Sequence, residues 1–128
     1  MEQLSREAEK STPKVICDPK DNYILIKGES YPENSFEFYE PIMDWVEEYM
    51  DQVNNENVEV ELSLSYLNTS STKSLMCILD ILEEAYQEGK DIKVDWYYDE
   101  ENELSYEMAQ DFMDYLEIPF NLQVKEED

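Results

Sequence analysis

Residues 58–66 read Val-Glu-Val-Glu-Leu-Ser-Leu-Ser-Tyr, and this stretch constrains the fold more than any other. Val58, Val60, Leu62, Leu64 and Tyr66 alternate with Glu59, Glu61, Ser63 and Ser65. A period of two is that of a strand with one face covered and the other wet. The signal returns in "DIKVDWYY", with Ile92, Val94, Trp96 and Tyr98 on one side and Lys93 and Asp95 on the other. Between the two strands, Leu75, Ile78, Leu79, Leu82 and Tyr86 recur at helical spacing, and Gly89 follows as a C-terminal cap. Strand, helix, strand in that order is a crossover, which normally makes the strands parallel and right-handed. A sheet covered on both faces would be apolar on both. The wet faces here therefore predict helices on one side only.

The rest of the chain extends this unit. "KVIC" and "NYILIKG" read as two earlier strands joined in a hairpin around "DPKDN", and "FNLQV" as a possible last strand. Ile42, Trp45, Val46, Tyr49, Met50 and Val53 form a first helical stripe, with Pro41 expected in the first turn, where its missing N–H costs nothing. Leu104, Met108, Phe112 and Tyr115 suggest a third helix before Pro119. The expected fold is α/β: a small mixed sheet of four to five strands with helices packed on one face. A single domain is expected over residues 15–124, after a loose polar segment at 1–14 and before an acidic tail at 125–128.

Charge narrows the function. The chain of 128 residues carries 33 Asp and Glu against 9 Lys and Arg, a formal net charge of −24. That field repels nucleic acid and anionic membrane and favours partners with basic patches. No histidine is present, so the commonest general base and transition-metal ligand is missing. Cys17 and Cys77 stand far apart in apolar settings and read as buried free thiols, which suits a reducing cytoplasm. No apolar stretch approaches the length of a signal peptide core or a membrane span. Neither a cofactor nor a metal site is expected.

Four hydroxyl residues in a row, Thr69, Ser70, Ser71 and Thr72, join the central strand to the second helix. Loops at the carboxyl ends of parallel strands are where α/β folds usually place function, and a helix N-terminus offers free amides and a partial positive charge. Three readings compete. A Ser or Thr could cap the helix, worth about 1 kcal/mol, but one suffices for that. Ser70 and Lys73 have the S-x-x-K spacing of a lysine-activated serine nucleophile, but the chain has no S-D-N or K-T-G and is too short for the enzymes that use it. This is the alternative of a small hydrolase-type enzyme using the cluster at 69–73. The third reading is a phosphoacceptor, at a place fitted to hold an anion.

Resemblance adds to the third. "GESYPENSFEFYEPIMDWVEEYM", "LSYLNTSSTKSLMCILDILEE", "VDWYYDEENE" and "IPF" resemble the SiaC family of bacterial regulatory phosphoproteins, from about Pro13 to Phe120. Tyr31-Pro32-Glu33-Asn34, Phe38-Tyr39-x-Pro41, Asn68-Thr69-Ser70-Ser71 and Trp96-Tyr97-Tyr98 carry the likeness. It implies a STAS-like fold and a non-catalytic protein switched by reversible phosphorylation. The acceptor would be Thr69, within a motif that includes Asn68, Ser70, Ser71 and the nearby Lys73. It also implies a dedicated kinase, a PP2C-like phosphatase, and a diguanylate cyclase bound and activated by the unphosphorylated form in cyclic-di-GMP signalling.

Two other stretches have competing readings. "YPENSFEFYEP" suits a partner-docking surface, although aromatics that cap the core would look the same. The carboxylates of "YYDEENE" could attract a cation, but they lack the spacing and glycine of a calcium loop and read as a solvated acidic turn.

Overall fold

A computed structural model describes residues 1–125. The strands are β1 (Leu4–Arg6), β2 (Lys14–Asp18), β3 (Tyr23–Ser30), β4 (Asn57–Leu67), β5 (Asp91–Tyr98) and β6 (Phe120–Val124). The helices are α1 (Ser35–Gln52), α2 (Thr69–Gln87) and α3 (Glu103–Met113). One six-stranded sheet follows chain order. β1, β2 and β3 pair antiparallel, and β3 through β6 pair parallel. The two alternating segments are neighbours, Val58 opposite Ile92 and Leu62 opposite Trp96, with α2 between them in the chain. The mixed α/β sheet is as expected, with one or two more strands.

Val58, Val60, Leu62 and Leu64 share one buried cluster with Ile42, Val46 and Tyr49 of α1, Leu75, Ile78, Leu79 and Leu82 of α2, and Ala109 and Phe112 of α3. All three helices therefore cover one face. On the other face the register aligns Leu25, Glu61 and Asp95 across three strands. Helix α2 ends in a Schellman motif: Gly89 has φ +106°, its N–H donates to Tyr86 O, and the Lys90 N–H donates to Ala85 O. Among the described residues, no helix is long and apolar enough to cross a membrane.

Several expectations need correction. The N-terminal segment expected to be loose contributes β1, Thr12 and Pro13 are buried, and the Trp45 indole donates to Glu2 O at 2.8 Å. Helix α1 starts at Ser35, so Pro41 sits in its second turn. The side chain of Asn34 starts the helix early by accepting the Glu37 N–H. Cys17 is buried, but Cys77 is exposed on the outer side of α2. The buried face of α3 is Ser105, Ala109 and Phe112, leaving Leu104 and Tyr115 outside. Small residues allow the close approach that brings Ser105 Oγ within 3.0 Å of the Trp96 indole N–H. Of the tail expected at 125–128, only Lys125 lies within the described residues, its N–H donating to Tyr98 O.

The alternation in β4 also breaks. Gly28 faces Leu64 but Glu29 faces Tyr66, so Ser65 is an extra residue in a β-bulge. Beyond it the faces exchange, and Tyr66 is exposed while Leu67 is buried. A slip of one residue moves every later side chain to the opposite face.

Candidate functional site

The site lies at the carboxyl end of the parallel strands, where α1 and α2 begin side by side. Asn68 N–H donates to Ser30 O at 2.9 Å, which holds the end of β4 against the end of β3. Asn68 is the N-cap of α2: its Oδ1 accepts the Ser71 N–H at 2.9 Å. The cap is thus an asparagine, and none of the four hydroxyls is needed for that role.

Three of them are committed elsewhere. Ser71 has no exposed surface. Its Oγ accepts from Ser30 Oγ at 2.8 Å and lies 3.2 Å from Ser35 Oγ. Ser70 Oγ lies 2.7 Å from Ser35 Oγ and donates to Asn68 Oδ1 at 3.3 Å. Thr72 Oγ1 donates to Asn68 O at 3.0 Å, back along its own helix. Tyr39, fully buried in α1, has its hydroxyl 2.7 Å from Ser30 Oγ. One orientation satisfies the whole chain: Tyr39 to Ser30, Ser30 to Ser71, Ser71 to Ser35, Ser35 to Ser70, and Ser70 to Asn68. Each serine hydroxyl then donates once and accepts once, with Tyr39 donating at the head, and such chains reinforce one another in a low dielectric. Burial pushes the Tyr39 phenol pKa up, with its hydrogen bonding to Ser30 and Ser71 pulling against it.

Thr69 differs from its neighbours. It is the first residue of α2, it is exposed as Ser70 is, and among the described residues its hydroxyl alone of the four has no hydrogen bond. Lys73 lies exposed one turn along. It lines a groove of 630 Å³ with Met76, Phe112 and Tyr115, on the side of α2 that faces α3. No hydrogen bond among the described residues joins Ser70 to Lys73. The Ser70 hydroxyl is instead directed to Asn68 and Ser35. The structure thus brings Asn68, Ser70 and Ser71 into one network and leaves Thr69 and Lys73 on the surface beside it.

Sequence reasoning missed Ser30, Ser35 and Tyr39. Nothing in their local pattern marks a serine as a network member, because the partners lie up to 41 residues away in the chain. The acidic turn at 99–103 leads into α3, whose N-cap Asn102 accepts the Ser105 N–H and donates through Nδ2 to Ser65 O. Among the described residues, no group of three or more Cys, Asp or Glu is placed to hold a metal ion.

Comparison with known proteins places the sequence and the fold in a family. The profile of the SiaC family regulatory phosphoprotein matches residues 6–125. A protein of Pseudomonas aeruginosa (strain UCBPP-PA14) is 41% identical over 117 residues, covering 91% of this chain and 92% of its own length. Apo-SiaC from Pseudomonas aeruginosa superposes with a TM-score of 0.91 at 39% identity, over 96% of this chain and 99% of that one. SiaC from the same organism, in complex with the diguanylate cyclase SiaD that it activates, superposes with a TM-score of 0.90 at 39% identity, over 95% of this chain and 99% of that one. With nearly the whole length matched in sequence and in fold, the chain belongs to the SiaC family of regulatory phosphoproteins.

Proposed function

We propose that this protein is a cytoplasmic, non-catalytic switch whose partner binding is controlled by reversible phosphorylation of Thr69. In its unphosphorylated form it binds and activates a diguanylate cyclase. The observation that carries the reading is the division of labour among the four hydroxyls. Ser70, Ser71 and Thr72 are tied into the protein, while Thr69 is exposed and uncommitted. The similar SiaC that activates SiaD supports the choice of partner.

The physical account is local. A phosphate on Thr69 adds about −1.5 to −2 charges at the start of α2, where the dipole favours an anion by about 0.3–1 kcal/mol. Lys73, one turn on, is within reach to pair with it. The fold tolerates the group because it grows outward from an exposed position. A partner packed around a neutral hydroxyl would have to desolvate a near-dianion and is released. A kinase and a PP2C-like phosphatase set the state.

Peptide mapping of protein purified from its native cell is expected to find the phosphate on Thr69 and not on the buried Ser71. Calorimetric titration of the diguanylate cyclase SiaD with unmodified, phosphorylated and Thr69→Ala protein is expected to show tight binding for the first and third forms only. Thr69→Asp should weaken binding in part, since one carboxylate carries less charge than a phosphate. Equal affinity of all forms would overturn the switch. A large loss of thermal stability on phosphorylation would replace it with local melting.

A further inference from the structure

The starts of α1 and α3 and the ends of β3 and β4 each bring an exposed apolar side chain to the end of the sheet that carries Thr69. Phe36 is 63% exposed in the first turn of α1, and Leu104 is 50% exposed in the first turn of α3. Tyr31, just past β3, is 37% exposed, and Tyr66, turned outward by the bulge, is 41% exposed. Tyr31 and Tyr66 meet edge to face with ring centroids 6.1 Å apart. The backbone that holds these side chains is tied together. Ser35, beside Phe36, bonds Ser70, beside Thr69. Ser105, beside Leu104, donates to Leu64 O at 2.7 Å, two residues before Tyr66. Single exposed apolar residues need no explanation, but four on one fixed end mark an interaction surface.

Exposed carboxylates flank it. Glu33 and Glu37 stand beside Phe36, and Glu101 and Glu103 beside Leu104. Arg6 in the groove beside α1, Lys73 and Lys125 offset them only in part. We propose that Tyr31, Phe36, Tyr66 and Leu104 form the docking surface around Thr69, and that its occupant is a protein segment with an apolar centre flanked by lysine and arginine. Charge complementarity selects that occupant over a second copy of this chain, because two copies at −24 each repel. The inference rests on the switch reading for the partner's being a protein, and it specifies where that partner sits. It also divides the energetics. The acidic flanks set the rate of approach, and the apolar centre sets the lifetime of the complex, which is where a phosphate on Thr69 acts.

The test uses unmodified full-length protein and two helical peptides with the same apolar face, one flanked by lysine and arginine and one by glutamate. In amide NMR titrations the basic peptide is expected to shift residues around Phe36, Tyr66, Thr69 and Leu104, and the acidic peptide to shift none. Phe36→Ser and Leu104→Ser together should weaken the basic peptide about tenfold with an unchanged circular dichroism spectrum. Glu33→Gln with Glu103→Gln should reduce its salt dependence. The proposal is overturned if the shifts spread over the whole acidic surface or centre on the open sheet face around Leu25, Glu61 and Asp95 or on the α2–α3 groove. Equal binding of both peptides overturns it too, as does a protein dimer that Phe36→Ser disperses. Because no phosphorylated protein enters this experiment, a failed switch and a failed surface give separate results.

Discussion

Ser71 sits in a fully buried position between two other serines, and its hydroxyl joins the end of β3 to the starts of α1 and α2. Removing it leaves Ser30 without its acceptor and Ser35 with Ser70 alone. A buried polar group left without a partner costs about 1–3 kcal/mol. Ser71→Ala is therefore expected to destabilise the protein by an amount in that range in urea unfolding, although its backbone N–H keeps the Asn68 cap. A change below about half a kcal/mol, as for surface substitutions, would mean that the network relaxes around the gap. Thr69→Ala in the same assay should be near neutral, because that hydroxyl is exposed and makes no bond among the described residues. The pair of variants separates the structural hydroxyl from the one proposed as phosphoacceptor, two positions apart in the chain.

Helix α2 is the element on which both fold and site depend. Its apolar stripe of Leu75, Ile78, Leu79 and Leu82 is buried in the shared core, while its first turn carries the phosphoacceptor proposed here. Leu79 has no exposed surface. Leu79→Ala is expected to cost about 2–5 kcal/mol, the transfer term plus the cavity left behind. Chemical denaturation checks this, and a loss below about half a kcal/mol would contradict the packing. The far end of the helix is held independently. Glu83 Oε1 accepts the N–H groups of Glu117 and Ile118 at 2.8 and 3.1 Å, which fixes the turn before β6 against α2. A helix fastened at its middle and its far end can change charge at its start without leaving the sheet.

At the scale of the whole molecule, alkaline pH should unfold the protein sooner than its net charge alone would. Burial, offset slightly by Arg6, raises the Cys17 thiol from 9.0 to about 12. Burial, with neighbouring carboxylates, raises Tyr23 and Tyr49 from 10.0 to about 12. All three groups are neutral when protonated, and their folded pKa values lie above their unfolded ones. Between the two values the folded state holds more protons, so stability is full below the unfolded pKa and falls as pH rises toward the folded one. Unfolding midpoints in urea are expected to drop steadily from about pH 9 to about pH 11, less steeply for Cys17→Val than for the parent. A flat profile would mean that these groups titrate alike in both states.

The sequence by itself determined the parts whose cause is local. Period-two alternation identified β4 and β5, the helical stripe identified α2, "DPKDN" marked the β2–β3 hairpin, and Gly89 marked a helix end. The Asn-Thr-Ser-Ser motif marked the turn at which α2 begins. What the tertiary structure alone decided depends on groups distant in sequence. β1 pairs only because an edge of β2 is available, which no local pattern of residues 4–6 announces. The bulge at Ser65 reverses Tyr66 and Leu67, since the register is set against β3 and not within β4. The fates of the four hydroxyls were settled the same way. Successive helical residues point about 100° apart. The approach of α1 therefore buried Ser71, engaged Ser70 and left Thr69 facing water.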